Sequence, residues 1–189
     1  MDVIPDQHYI DKVLAGENEA FADLVERYKH MAYTLAFRLL KNHEEAEETA
    51  QDAFVKAYQH LRAFRSESKF STWLYKIIYH SALGRLRKVK REYRDLDDFQ
   101  KIAEPETGSI LQKLKIQDQK KYLTMALENL DPEENMIIHL YYLNESPISE
   151  VCAITGLSES NVKIKLFRIR KKLYQHLTKL LKQEITNLI

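Results

Sequence analysis

The fold is decided by the stretch from Ser146 to Lys172, which reads SPISEVCAITGLSESNVKIKLFRIRKK. Ser146 can cap a helix that has Pro147 as its first residue, because the N–H that proline lacks would be unpaired at that position. Gly156 can adopt the left-handed conformation that ends a helix, and Ser158 can cap a second helix. The stretch therefore predicts two helices joined by a sharp turn.

The second of these helices has two different faces. Apolar residues recur along it at steps of three or four and predict a buried stripe. They are Val162, Leu166, Ile169, Leu173, Leu177 and Leu180. From Asn161 to Lys182 the chain has eight Lys or Arg and no Asp or Glu, so the other face suits phosphate groups.

A helix-turn-helix places the N-terminal residues of its second helix on base edges in the major groove. A basic amphipathic helix can equally be a solvated face, but the capped turn favours DNA recognition. The candidate DNA-reading residues are Ser160, Asn161, Lys163, Phe167 and Arg168, with Lys171 on the same face.

The composition favours an all-α protein with two small domains. The chain has 189 residues but only four Gly and four Pro, and no segment shows the alternation of a strand. The first domain is predicted to span residues 1–94 and the second residues 111–189. Residues 95–110 are acidic, contain Pro105 and Gly108, and predict a flexible linker.

Three helices are predicted in the first domain and four in the second. Those of the first domain are Glu19–Leu40, capped by Asn18, then Glu44–Leu61, and Ser71–Glu92 after a polar loop. In the second domain a helix ends near Leu130, and a capping box at Asp131 to Glu134 starts another. The two helices of the turn motif follow.

Several classes of function are excluded by what the sequence lacks. The single cysteine, Cys152, excludes an internal disulfide and is expected to be a small core residue in a reducing compartment. No apolar run is long enough to span a bilayer, which predicts a cytoplasmic protein without membrane insertion. The histidines lack metal-ligand spacing and the glycines are scattered, so we expect no metal, no cofactor and no enzymatic activity.

The net charge of +1 conceals a second basic segment. From Arg62 to Arg94 there are ten basic residues against Glu67 and Glu92. Aromatic residues lie among them, and aromatics beside cations are typical of surfaces that bind single-stranded nucleic acid. Phe70 and Trp73 lie on the apolar face of the predicted helix and are more typical of core residues.

Three motifs ahead of the helix-turn-helix make a family recognisable. They are FADLV at residues 21–25, EAEETAQDAF at residues 45–54 and KFSTWLYKI at residues 69–77. In their order and spacing they closely resemble the bacterial extracytoplasmic-function sigma factors. The resemblance covers nearly the whole chain and implies a region-two domain followed by a winged-helix-like region-four domain.

The resemblance assigns a role to the acidic second motif. In that family this segment docks on the clamp helices of the largest subunit of core RNA polymerase. A solvated acidic face is the alternative interpretation. The residues that correspond to the docking segment are Glu45, Glu48, Gln51, Asp52 and Phe54.

The resemblance also assigns the promoter contacts. Ser66, Glu67, Ser68 and Lys69 correspond to the pocket for an extruded base of the minus 10 element. The residues expected to face the non-template strand are Tyr75, Lys76, Tyr79, His80 and Arg85. His80 and Gly84 replace the family's common Asn and Asp, so the minus 10 preference is open. The candidate DNA-reading residues of the turn motif fall where the family reads the minus 35 element.

Together these patterns predict a sigma factor that initiates transcription of a stress or envelope regulon. Its expected partners are core RNA polymerase, promoter DNA as duplex and as melted strand, and an anti-sigma factor. The alternative is a stand-alone helix-turn-helix regulator that binds operator DNA as a dimer.

Overall fold

The computed structural model of the protein describes residues 4–92 and 116–187, and within these ranges every regular element is helical. The predicted linker at residues 95–110 lies outside the described residues. The α-helices are α1 (Asp6–Leu14), α2 (Phe21–Leu40), α3 (His43–Gln59), α4 (Phe70–Glu92), α5 (Ile116–Glu128), α6 (Pro132–Ile138), α7 (Ile148–Thr155) and α8 (Glu159–Asn187).

The chain forms two compact units. One comprises Met1–Tyr93 with Ser149–Leu157, and the other comprises Arg94–Ile148 with Ser158–Ile189. The domain boundaries predicted from the sequence stay a prediction. Among the described residues no helix has both the length and the hydropathy that crossing a bilayer requires.

The three predicted helices of the first domain are present, with small shifts at their ends. Asn18 does not cap α2, because residues 18–20 form a 3-10 turn and the helix begins at Phe21. Asn42 caps the next helix, α3, and its side chain accepts a hydrogen bond from the Glu45 N–H at 3.1 Å. α3 ends at Gln59, and Leu61 lies in a following 3-10 turn, where it is buried.

Helices α2, α3 and α4 pack on one another around the first core. The inner face of α3 is made of the small residues Ala46, Ala50, Ala53 and Ala57, all of them buried. Leu24, Leu35 and Leu39 of α2 and Leu74 and Ile78 of α4 are buried as well. Small side chains on α3 let the neighbouring backbones approach closely.

Helix α1 was not predicted; it has nine residues, of which Ile10 and Val13 are buried. Polar contacts hold it against α2. Asp6 accepts hydrogen bonds from Arg27 at 2.5 Å and from the Tyr28 hydroxyl at 2.6 Å. Burial and the bond to Asp6 raise the pKa of Tyr28, so the phenol stays protonated and keeps donating.

The second unit contains α5, α6 and α8. The predicted apolar stripe of α8 is confirmed, since Val162, Leu166, Ile169 and Leu177 are buried. Leu177 and Leu181 form a core cluster with Tyr122 and Ala126 of α5. The capping box at the start of α6 is confirmed, with the Asp131 N–H donating to Glu134 Oε2 at 3.2 Å. The helix continues as a π-helical turn, His139–Leu143.

Two glycines of the first unit allow a matched test of backbone strain. A Cβ added at Gly84 or Gly16 would meet nothing within 4 Å, but Gly16 has φ +104° whereas Gly84 is helical. Gly84→Ala should stabilise the protein by about 1 kcal/mol, because glycine is a poor helix former. Gly16→Ala should destabilise it by at least ~1 kcal/mol, because alanine is strained at that φ.

The measurement is urea unfolding followed by circular dichroism. Changes of the same sign for both variants would contradict the assigned backbone conformations.

Candidate nucleic-acid and partner interfaces

The turn between α7 and α8 has the local geometry that the sequence predicts. Gly156 has φ +75° and its N–H donates to the Cys152 carbonyl at 2.9 Å. Ser158 caps α8, with its hydroxyl accepting from the Asn161 N–H at 3.4 Å. α7 begins at Ile148, one residue after the predicted start at Pro147. Cys152, expected in the core, is half-buried.

The DNA-reading candidates of α8 all lie on one exposed face. Phe167 is 59% exposed, which is unusual for an aromatic residue on a helix with a well-formed buried stripe. Lys163 forms an ion pair with Glu159 at 2.5 Å, and this contact lowers the pKa of Glu159. Ser160, Asn161, Lys163, Phe167 and Arg168 are exposed, and Lys171 is half-buried.

Three other cations of α8 belong to the second unit itself. Lys172 contacts Glu134 at 2.8 Å and Asp131 at 3.4 Å, and Lys165 contacts Glu133 at 3.4 Å. Arg170 donates to the Tyr142 hydroxyl at 3.4 Å. These side chains attach α8 to α6 and the π-helical turn. The structure thus separates the cations that stabilise the unit from those that face outward, a division that periodicity alone did not supply.

The acidic face of α3 lies beside a cation of α4. Arg85 donates to Glu48 Oε2 at 2.7 Å and to Asp52 Oδ2 at 2.8 Å. The hydrogen bond to Arg85 and its charge lower the pKa of Glu48. Gln51 is exposed and Glu45 half-buried. The predicted docking role of Phe54 is corrected, because its ring lies in the core and is only 8% exposed.

An open groove of about 470 Å³ separates the end of α3 from the middle of α4. Its polar and aromatic lining comes from Lys56, His60, Trp73, Lys76, His80 and Ser81, with Ala63 and Ile77 completing it. No carboxylate is among these lining residues, so the groove can accept an anion beside an aromatic ring. Lys56 Nζ donates to the Ser81 hydroxyl at 3.0 Å.

The residues of α4 that were predicted to contact the minus 10 strand differ in how far their side chains are buried. Lys76 and His80 are exposed, and Tyr75 is half-buried. The expectation that Tyr79 faces DNA is corrected, because the side chain is 1% exposed and packs in the core. Trp73 is half-buried, with its ring centroid 5.2 Å from that of Phe64 and 5.8 Å from that of Phe70. The aromatic residues of this segment are therefore largely structural.

The predicted base pocket lies on an exposed loop before α4. Ser66, Glu67, Ser68 and Lys69 are all exposed, and Ser66 has φ +55°. The Ser66 hydroxyl donates to Gln7 Oε1 of α1 at 2.9 Å. Gln7 thus contacts a predicted site residue from an element that the sequence analysis missed. This helix has apolar residues at helical steps, but its nine residues are fewer than the window of about 11–18 residues in which such a period is recognised.

The described residues contain no group of three or more His, Cys, Asp or Glu arranged to hold a metal ion.

Known protein families and known proteins resemble this chain over most of its length. The model for sigma-70 region 2 matches residues 24–92, and that for sigma-70 region 4 matches residues 120–173. The ECF RNA polymerase sigma factor SigW of Bacillus subtilis (strain 168) is 33% identical over 181 residues, covering 89% of this chain and 94% of SigW.

The chain belongs to the extracytoplasmic-function sigma factors. The ECF RNA polymerase sigma-E factor of Escherichia coli (strain K12) is 28% identical over 176 residues, which cover 89% of this chain and 92% of the relative. Sigma factors are not enzymes, so neither surface of this sigma factor is a catalytic site.

Two solved structures share the fold. One is CnrH in complex with the cytosolic domain of CnrY, with a TM-score of 0.63 and 22% identity over 92% of this chain and 97% of CnrH. The other is the sigma factor RpoE in complex with the anti-sigma factor NepR from Bartonella quintana, with a TM-score of 0.61 and 23% identity over 84% of this chain and 96% of RpoE. Each supports the all-helical fold of this sigma factor.

The region-2 match contains both the acidic face of α3 and the groove, and the region-4 match contains the outward cations at the start of α8. α1 and its Gln7 lie outside both matches. Lys56 and His60 of the groove were also missed, because they follow the acidic motif and the sequence places them on no recognisable stripe.

His80 gives a pH-dependent test of the groove. Burial lowers the pKa of His80, and the nearby cations Lys76 and Arg87 lower it further. His80 should therefore titrate below its ordinary value of about 6.5, and Lys76→Gln should raise its pKa. Because the folded-state pKa is lowered, the associated stability is present above about pH 6.5 and is lost as the pH falls through the folded-state value.

The check is the titration of the His80 ring by NMR in the wild type and in Lys76→Gln. Lys29→Gln, a substitution of an exposed lysine on α2, is the control and should leave the His80 titration unchanged. A His80 pKa above 6.5 in the wild type would contradict the assigned environment.

Proposed function

We propose that the chain is the promoter-specificity subunit of a bacterial RNA polymerase and that α3, α4 and α8 carry its three contacts. The supporting observation is that region 2 and region 4 match in order on one chain, and that each match contains an exposed charged surface. The protein would bind core polymerase, contact the promoter at two elements and melt DNA without hydrolysing anything.

The acidic face of α3 is proposed to dock on core polymerase. Glu45, Glu48, Gln51 and Asp52 are its members, and Phe54 supports them from the core. Carboxylates on an exposed helix suit a basic partner surface, and complementary charge accelerates and orients association. Phe54 would act only by fixing the position of α3.

The groove and the exposed loop before α4 are proposed to bind the melted minus 10 strand. Lys56, Lys76 and His80 offer donors to phosphates, and the half-buried Trp73 offers part of a ring to a base. Ser66, Glu67, Ser68 and Lys69 remain candidates for an extruded base, which costs a few kcal/mol to unstack.

The exposed face of α8 is proposed to read the minus 35 element as duplex. Asn161 and Ser160 at the start of the helix can reach base edges, whereas Lys163, Arg168 and Lys171 suit phosphates. The exposed ring of Phe167 can make apolar contact with a thymine methyl group.

The regulatory setting is proposed from relatives. CnrH and RpoE were solved with CnrY and with the anti-sigma factor NepR, respectively, and we propose that an anti-sigma factor likewise restrains this protein. We further propose a stress or envelope regulon and action in the cytoplasm, where polymerase and chromosome are found. The minus 10 and minus 35 sequences that this protein recognises are to be determined by promoter mapping.

Docking is tested at Glu48, whose side chain is 64% exposed. Glu48→Lys should weaken binding to core polymerase at least ~10-fold, because it places a cation against a basic partner. Glu17→Lys is the matched control, since the Glu17 side chain is 63% exposed in the same unit. Complex formation with purified core enzyme is followed on a sizing column. The affinity is measured by titrating labelled protein with core enzyme in solution.

Retained binding by Glu48→Lys, or equal loss in both variants, would contradict docking through α3. If the wild type elutes apart from core polymerase and as a dimer, the stand-alone regulator becomes the better interpretation.

Duplex reading is tested at Arg168. Arg168→Ala should weaken binding to duplex DNA uniformly across sequences and lower the salt slope by about 1, as expected for the loss of one phosphate contact. Lys172→Ala is the control with the same change in charge, because Lys172 is held by Glu134 and Asp131. The measurement is the affinity for a duplex that the wild-type protein selects from a randomised library.

An equal loss of affinity in both variants would show a response to net charge alone and would contradict the assignment of Arg168.

A further inference from the structure

Arg85 connects the two proposed surfaces of region 2. Its Nη1 and Nη2 atoms donate to carboxylates of Glu48 and Asp52, which lie one turn apart on α3. The Arg85 side chain is 26% exposed, whereas those of Glu48 and Asp52 are 64% and 50% exposed. Solvent, or a partner, can therefore reach the carboxylates more readily than the guanidinium that they hold.

The three groups have competing assignments. Glu48 and Asp52 belong to the proposed polymerase-docking face, and Arg85 belongs to the residues expected to face the non-template strand. A guanidinium that donates to two carboxylates has its charge offset and two of its five N–H donors engaged. In the chain as it stands, Arg85 is therefore poorly available to a DNA phosphate.

We infer that Arg85 is an exchangeable clasp that couples the two surfaces. In the free protein it holds Glu48 and Asp52, and when the basic surface of core polymerase binds those carboxylates, Arg85 is released to contact a phosphate of the melted strand. This inference rests on the proposed function. Release of Arg85 would explain why the melted strand is bound tightly only after polymerase has docked.

The surroundings of the clasp make the exchange feasible. A groove of about 550 Å³ adjoins Arg85, and Gly84 contributes no side chain to fill it. Lys56 and Lys88 line the same groove, as do the carboxylates of Glu45, Glu48 and Asp52. A phosphate that enters it therefore meets other cations once a partner has engaged those carboxylates. Partly exposed ion pairs contribute little to stability and are screened by salt, so a partner with several cations can replace this one.

The coupling must act in both directions. If docking raises the affinity for the strand by some factor, the strand raises the affinity for polymerase by the same factor. A purely static role for Arg85, in which it only positions the carboxylates, predicts no such factor. The two possibilities therefore differ in a measurable quantity.

The first experiment uses the full chain without polymerase. The probe is a fluorescein-labelled oligothymidine of about 10 nucleotides, within the span that single-strand binding domains cover, and binding is followed by anisotropy. The double variant Glu48→Gln/Asp52→Asn weakens the clasp by removing both carboxylate charges, and it should tighten binding by about 2- to 5-fold, the range of one partly exposed charge pair. Thermal unfolding by circular dichroism confirms that each variant is folded.

The control is Glu44→Gln/Glu47→Gln, which removes the same charge from the same helix. Within the described residues these two carboxylates form no ion pair. Tighter binding only in the first double variant supports the clasp. Equal tightening in both, or no binding of the probe by the first double variant, overturns it.

The second experiment uses Arg85→Gln. In the free protein this variant should lose less affinity for the probe than it does in the complex, because Arg85 is already occupied there. In the complex with core polymerase it should bind the probe about 2- to 5-fold more weakly than the wild type does. An equal loss in the free protein and in the complex would overturn the clasp.

Failure of the proposed function can be recognised separately. If the wild type does not bind core polymerase, the proposed function fails, while the double variants of the free protein still report whether Arg85 is masked.

Discussion

The close packing of α3 against α2 and α4 is the constraint on which the region-2 surfaces depend. Ala46, Ala50, Ala53 and Ala57 form the inner face of α3, and their small side chains bring three backbones together. Protein interiors are packed as densely as organic crystals, so a helix held in this way has little freedom to rotate. The outer face of α3, with its carboxylates, is fixed as a consequence.

That fixed orientation brings charged and polar side chains together across two helices. Arg85 of α4 reaches two carboxylates of α3, and Lys56 of α3 reaches Ser81 of α4. A surface assigned to polymerase and a surface assigned to DNA therefore meet along one groove. In a sigma factor, which has to bind both partners in order, such a junction is where one binding event can influence the other.

The cations of helix α8 serve two purposes. Lys165 and Lys172 pair with acidic residues of α6, whereas Arg168 and Lys163 lie on the exposed face with Phe167. Lys165, Arg168 and Lys172 lie at steps of three and four and so share a side of the helix, yet Lys165 and Lys172 pair with α6 whereas Arg168 is exposed. The packed neighbour, and not the helical period, therefore decides which cations stabilise the unit. The total positive charge of the segment overstates the charge offered to a nucleic acid.

Much of the fold was predictable because it is local. The steps of three and four in α2 and α8, the cap at Ser158, the capping box at Asp131 and the left-handed turn at Gly156 are all set by neighbours in the sequence. Helix ends shifted by one or two residues, as at Asn18, where a 3-10 turn replaced the expected cap. α1 was missed because it has only nine residues, which is shorter than the window of about 11–18 residues over which a helical period can be recognised.

By itself the sequence determined the helical class, the family and the faces on which charge gathers, since periodicity and motif spacing are properties of the chain. Only the tertiary structure decided that Phe54 and Tyr79 are core residues, that Gln7 contacts Ser66, and that Arg85 holds Glu48 and Asp52. Each of these depends on which residues distant in sequence are brought together when apolar faces are buried. The period along a helix gives the direction of a side chain, but only the packed neighbour determines what that side chain contacts.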